Sequence, residues 1–189
     1  METIPNVESL PVSLKDLVEK IRIDYYNPIS VLCKDSGRLI TEIRSSEISY
    51  DSRYMAISEM IIKETINYID LRTTVFIPYI NALAQKDVEG HNCSSCSGTC
   101  ELQHSTKLID FSTQLQQFKE KINDLIKASS KIYKRDENDS LKTLHNKITL
   151  LHNIVTELLY VEEDALLPRI KGAQKNIYAA AEGHDNDQC

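Results

Sequence analysis

The residues best suited to chemistry lie in one short segment, which holds three of the five cysteines of the chain. Cys93, Cys96, Cys100 and His104 follow the spacing Cys-x2-Cys-x3-Cys-x3-His, and His91 stands just before them. Thiolates and imidazoles are the ligands of tetrahedral zinc sites, and two residues between cysteines let both thiolates reach one ion. The segment therefore predicts a Cys3His zinc site, with His91 as the alternative fourth ligand.

The same thiols support three other interpretations. They could hold an iron–sulfur cluster, so that iron replaces zinc as the cofactor. Cys93 and Cys96 could instead form a redox-active pair, because a thiolate near the N-terminus of the following helix has a lowered pKa. The segment could also be a polar loop with unconnected thiols and no metal. A metal here would hold the loop against the helices, so a structural role is as reasonable as a catalytic one.

Composition limits the class of protein. The 189 residues suffice for one domain with a substantial core. The formal net charge is -6 and Lys and Arg form no block, which argues against nucleic acid as the main partner. The first residues lack the features of a signal peptide, and no apolar run is long enough to span a bilayer. We therefore expect a cytoplasmic protein without a membrane partner, whose cysteines stay reduced.

Four amphipathic patterns and no convincing strand predict an all-α protein. The predicted helices cover about Ser13 to Ile43, residues 52–84, residues 100–132, and Asp139 or Ser140 (one of them the N-cap) to Pro168. Asp16 follows Ser13 at the spacing of a capping box. Short connections make an up-and-down four-helix bundle the simplest arrangement. The bundle domain covers residues 13–181 with a Cys-rich loop at 90–104, between an extension at 1–12 and a flexible tail at 182–189.

Three prolines interrupt the helical patterns. Pro28 lies inside the first pattern, Pro78 near the end of the second, and Pro168 close to the end of the fourth. A proline has no backbone N–H, and its ring clashes with the carbonyl four residues earlier in an α-helix. Each proline therefore predicts a bend or an end of its helix.

Three polar residues stand on the apolar stripes, where the neighbouring positions are hydrophobic. They are Arg72 on the second helix, His104 on the third and Glu162 on the fourth. A lone buried charge is strongly destabilising unless it is paired or binds a metal. The pattern predicts a polar centre in the core. The alternative is that the helical phase drifts and the polar heads reach water.

Other candidates for chemistry are weaker. We expect Cys33 to be a small buried residue of the first helix. His145 and His152 lie seven positions apart on the fourth helix and are expected on a solvated face. Four of the nine tyrosines could line a polar pocket, but we expect them to be core residues with their hydroxyl groups at the rim; they are Tyr25, Tyr26, Tyr68 and Tyr160.

Three stretches of sequence carry a family resemblance. They are Leu17-Val-Glu-Lys-Ile-Arg-Ile-Asp-Tyr-Tyr-Asn-Pro28, Thr74-Val-Phe-Ile-Pro-Tyr-Ile80 and Glu162-Glu-Asp-Ala-Leu-Leu-Pro-Arg-Ile170. From about Leu14 to Ile170 the chain resembles a hemerythrin-like domain, in particular the di-iron proteins that repair iron–sulfur clusters. The resemblance implies a four-helix bundle with His and Glu iron ligands in its core.

Most of the iron ligands that the resemblance implies are replaced in this chain. The first-helix His falls on Tyr26, the second-helix His-x3-Glu on Tyr68 and Arg72, the third-helix His on His104, and the fourth-helix His-x3-Glu on Leu158 and Glu162. Arginine keeps its proton, so Arg72 would repel a metal cation. We expect no ordinary di-iron centre. Instead, Arg72 takes the place of the metal and pairs with Glu162, and Tyr26, Tyr68 and His104 complete the hydrogen bonds.

Three functions fit these features. The first is a non-enzymatic hemerythrin-like protein that binds one metal ion, zinc or iron, through its Cys/His loop and senses metal or redox state or acts in a stress response. The second is an iron–sulfur cluster repair protein, or an iron protein that handles O2 or NO, with an altered centre. The third is a metal-free interaction scaffold. A protein partner or a homodimer is left open by the sequence.

Overall fold

The computed structural model describes residues 10–11, 13–90, 99–133 and 138–179, and for 99–104 and 178–179 it describes the backbone only. Every regular element in these ranges is helical, which confirms the all-α prediction. Within the same ranges, no helix is both long enough and apolar enough to cross a membrane.

Seven α-helices and three π-helical segments follow one another in the described part of the chain. They are α1 (Leu14–Ile21), π1 (Arg22–Tyr26), α2 (Asn27–Ser45), α3 (Ser52–Leu71), π2 (Arg72–Phe76), α4 (Ile77–Val88), α5 (Thr99–Ile132), α6 (Asp139–Val161), π3 (Glu162–Leu166) and α7 (Leu167–Ala179). Each π segment joins the α-helix before it to the α-helix after it, so four long helical runs result. These runs correspond to the four predicted helices.

A proline is the second residue of the α-helix that follows each π segment. The ring of a proline would clash with the carbonyl four residues earlier, whereas a π turn closes its hydrogen bonds over five residues. The N–H of Asn27, just before Pro28, donates to the carbonyl of Arg22. The N–H of Leu167, just before Pro168, donates to the carbonyl of Glu162. The predicted bends are therefore π turns, and the helical runs continue through them.

The chain divides into two compact units. Unit 1 comprises Met1–Lys20, Arg72–Leu115 and Tyr160–Cys189, and unit 2 comprises Ile21–Leu71 and Gln116–Leu159. In unit 1, α4 packs against α7, and in unit 2, α2 packs against α3. Both units contain buried apolar side chains from the stripes of their helical segments.

Small hydroxyl side chains occupy two core positions on α3. Ser58 and Thr65 are fully buried, and their hydroxyl groups donate to the carbonyls of Tyr54 and Ile61 at 2.9 and 2.8 Å. A bond of this kind to the carbonyl four residues earlier satisfies the hydroxyl group inside its own helix. A long charged side chain has no such local solution, so a buried Arg on the same helical run needs partners from other elements.

Side-chain caps begin the first and last helical runs. The hydroxyl of Ser13 accepts the N–H of Asp16 at 3.0 Å and donates to its carboxylate at 2.7 Å, which confirms the predicted pairing at this helix start. At α6, the Oδ1 atom of Asn138 accepts the N–H of Ser140 at 2.9 Å and that of the next residue at 3.2 Å. The prediction of Asp139 or Ser140 as the cap is therefore wrong, because an amide oxygen one position earlier already reaches these N–H groups.

Replacing Asn138 by Ala should lower the free energy of unfolding by about 1 kcal/mol, because two N–H groups of α6 lose their acceptor. Asn138→Asp should keep most of the stability, since a carboxylate can accept the same bonds. Ser140→Ala should change it by less than about 0.5 kcal/mol. Urea unfolding of the three variants measures these differences. A larger loss for Ser140→Ala than for Asn138→Ala would show that the cap has been assigned to the wrong residue.

Candidate functional site

A buried ion pair joins the starts of two π segments in unit 1. Arg72 is the first residue of π2 and Glu162 is the first residue of π3. Each stands six positions before a proline, Pro78 or Pro168. Both side chains are fully buried, and Arg72 is among the largest buried side chains of the described residues. The π segment ahead of Pro78 therefore begins with Arg72, and the π segment ahead of Pro168 begins with Glu162.

The guanidinium group of Arg72 contacts one oxygen of Glu162. Its Nε and Nη2 atoms lie 3.2 and 3.1 Å from Oε2 of Glu162. Nη2 also donates to the backbone carbonyl of Phe111 at 3.4 Å. Charge-assisted bonds of this kind are stronger than bonds between neutral groups. The predicted pairing is confirmed, and the alternative in which these two heads reach water is wrong.

Two aromatic rings complete the surroundings of the guanidinium group. Its central carbon lies 3.7 Å from the centre of the Phe111 ring and 5.0 Å from that of Phe76. The two rings meet edge to face, with centres 5.2 Å apart and planes at 87°. A cation over an aromatic face is stabilised by the ring quadrupole, and more so away from water. Phe111 therefore stabilises the guanidinium group of Arg72 both through its backbone carbonyl and through its aromatic ring.

These residues do not fit a di-iron centre. Arg72 is a permanent cation, and an oxygen of Glu162 is engaged by it at hydrogen-bonding distance. Within the described ranges, no group of three or more His, Cys, Asp or Glu side chains is placed to hold a metal ion. The arrangement is suited to holding two helical segments together by charge.

The other residues that the resemblance places around the iron are only partly described. Tyr26, Tyr68 and Leu158 are all buried and belong to unit 2. The ring of Tyr68 stacks on Phe118, with centres 4.0 Å apart and planes at 13°. His104 lies on α5, and its side chain is outside the described residues. A role for these tyrosines and this histidine in the hydrogen bonds of the pair stays a prediction.

The predicted zinc ligands cannot be placed. His91, Cys93 and Cys96 lie outside the described residues, as does the side chain of Cys100 at the start of α5. The geometry of the Cys/His segment therefore stays a prediction. Cys33 on α2 is described and is buried, as expected. Burial raises the pKa of its thiol to about 12, so it stays protonated at neutral pH and lacks the thiolate that metal binding needs.

A second polar cluster, which the sequence did not reveal, lies in unit 2. The Nδ1 atom of His145 is 3.2 Å from the hydroxyl of Tyr54. The imidazole stacks on the ring of Tyr133, with centres 3.6 Å apart and planes at 3°. Burial lowers the pKa of His145 and raises that of Tyr54 to about 12, so both groups are uncharged at neutral pH and share a hydrogen bond. His145 is therefore half-buried and makes side-chain contacts that the prediction of a solvated face did not include, and its place four residues after the buried Leu141 was the available signal.

The chain matches no protein-family model, no curated protein and no solved structure. The hemerythrin-like relationship therefore stays a prediction from the sequence.

Replacing Arg72 by Ala should lower the free energy of unfolding by about 3–5 kcal/mol, because Glu162 would be left as a buried charge without its cation. Arg44 is a matched control, since it pairs with Glu59 at 2.8 Å on a surface where both side chains are about two-fifths exposed. Arg44→Ala should cost less than about 1 kcal/mol. Chemical denaturation measures both variants, and equal losses would contradict a special role for the buried pair.

Acid should remove the contribution of His145 to stability. Its pKa in the folded protein lies below the usual 6.5 because burial disfavours the imidazolium. The stabilisation is therefore complete above about pH 6.5 and is lost as the pH falls through the lower folded-state pKa. His145→Phe keeps a ring against Tyr133 but does not titrate there. Unfolding measured from about pH 7.5 to about pH 5 should show the wild type losing stability relative to this variant. A constant difference across that range would rule out the linkage.

Proposed function

We propose that this chain is a non-enzymatic, hemerythrin-like helical protein that binds one metal ion through its Cys/His segment and reports metal or redox state. The ion pair of Arg72 and Glu162 takes the place of the di-iron centre. The four long helical runs form an up-and-down bundle. Zinc is the first choice for the ion and iron the second.

The observation that supports this proposal is the burial of Arg72 against Glu162 and Phe111. In a working iron site, the position of Arg72 would carry a ligand that donates an electron pair. A guanidinium group has none to give, and it already supplies the positive charge that the carboxylate requires. Among the described residues, iron therefore has no suitable ligand set around Arg72. The thiolates of the Cys/His segment remain as the metal ligands.

The chemistry of the segment favours zinc and a sensing role. Three thiolates and one imidazole form a closed tetrahedral set, and a closed set leaves no open position for catalysis. Thiolates are also the ligands most readily oxidised, and their oxidation releases the metal. Binding of zinc would then join these side chains in one site, and oxidation of the thiolates would release the ion, so the metal content of the segment follows the metal and redox state of its surroundings.

Purified wild-type protein should contain about one zinc per chain by elemental analysis, and it should be colourless, because zinc has no redox or d-electron chemistry. Replacing Cys93, Cys96 and Cys100 together by Ser should abolish binding. Cys33→Ser is the matched control, because its buried thiol has a raised pKa and should not hold the ion. Thiol titration before and after chelation gives the number of cysteines that the metal protects.

Different results would contradict different parts of the proposal. Two irons per chain in the variant without Cys93, Cys96 and Cys100 would overturn the replacement of the iron centre. Absorption bands of sulfur bound to iron would instead favour a protein that repairs iron–sulfur clusters or handles O2 or NO. A wild type with no stoichiometric metal and freely reacting thiols would favour a metal-free scaffold.

A further inference from the structure

A cavity of about 210 Å³ lies in unit 2, next to the cluster of Tyr54, Tyr133 and His145. Three tyrosines line it, namely Tyr50, Tyr54 and Tyr133, together with the carboxylate residue Asp51 and the aliphatic residues Ile132 and Leu141. Pockets for drug-sized ligands have volumes of about 300–1,000 Å³, so this one suits a smaller group.

The cavity walls are held in place before any ligand arrives. The rings of Tyr54 and Tyr133 have centres 5.3 Å apart and planes at 43°, so they stand as angled walls and not as a closed stack. His145 fixes both rings, because it bonds to the hydroxyl of Tyr54 and lies flat on Tyr133. Preorganised aromatic walls reduce the entropic cost of binding.

The charge at the cavity favours a cation. Asp51 is one of the residues that line the cavity, and its carboxylate accepts hydrogen bonds from the exposed Arg53 at 2.7 to 3.1 Å, which lower its pKa to about 2. The whole chain is acidic, with a formal charge of -6. Aromatic faces attract cations through their quadrupole, and three aromatic rings beside a carboxylate suit a cation wrapped in methyl groups.

We propose that the cavity of Tyr50, Asp51, Tyr54 and Tyr133 binds the quaternary ammonium group of a small cationic ligand. The methyl groups contact the aromatic and aliphatic walls, and the charge is balanced by Asp51. A simple ammonium group fits less well, because it is more strongly hydrated and makes less contact with the apolar wall of the cavity. This site is independent of the Cys/His segment and of any metal.

The direct test compares choline with its neutral isostere 3,3-dimethylbutan-1-ol by calorimetric or NMR titration of the full chain. The two molecules have nearly the same shape and differ in charge. Choline should bind at least about tenfold more tightly. Glycine betaine has the same ammonium group beside a carboxylate, which Asp51 would repel, so it should bind more weakly than choline. Equal binding of choline and the isostere, or no binding of choline at millimolar concentration, would overturn the proposal.

Two variants locate the site. Tyr50→Leu should weaken choline binding about tenfold, because one cage wall is lost. Tyr50 is only half-buried, so the variant should fold, as circular dichroism can verify. Arg53→Ala should strengthen binding severalfold, because Asp51 loses its competing cation. The exposed Arg44 is the control, and Arg44→Ala should leave the affinity unchanged. Unchanged affinity in Tyr50→Leu, or weaker binding in Arg53→Ala, would contradict this location.

Discussion

A guanidinium group taken out of water needs an equally buried partner, and the interior of unit 1 meets that need with Glu162 and Phe111. Removing two ions from water costs several kcal/mol each, and only good geometry with further hydrogen bonds compensates for it. Arg72 has the carboxylate, a backbone carbonyl and an aromatic face within reach. Because this positive charge is part of the chain, the folding of unit 1 requires no bound ion at this position.

The prolines determine where this pair can form. A π turn ahead of each proline shifts the hydrogen bonds by one residue, and so changes the direction in which later side chains face. Arg72 and Glu162 both begin such a turn. π turns inside α-helices often mark functional sites, because they place a side chain where a regular helix would not. Here the two π turns bring opposite charges into contact. The positions of Pro78 and Pro168 in the sequence therefore determine where the buried ion pair lies.

The sequence was sufficient to predict the helices and the pairing of Arg72 with Glu162, because apolar periodicity locates inward positions and a buried charge demands its opposite. It was insufficient for the π turns, since a proline in a helical pattern is equally compatible with a bend, an end or a π turn. The role of His145 was missed because its partners lie elsewhere in the chain, Tyr54 on α3 and Tyr133 just after the end of α5. Periodicity within one helix carries no information about such contacts. Asn138 was missed as a cap because two other polar residues follow it directly.

Arg72 and Glu162 stabilise the core of unit 1 as a coupled pair. A double-mutant cycle tests it most directly, with Arg72→Met, Glu162→Leu and both changes together, each unfolded in urea. Each single change should be strongly destabilising and the double variant should recover stability, with a coupling energy of at least about 2 kcal/mol. If the losses of the two single variants add to that of the double variant within about 0.5 kcal/mol, the two residues act independently and the pair does not stabilise the core as a unit.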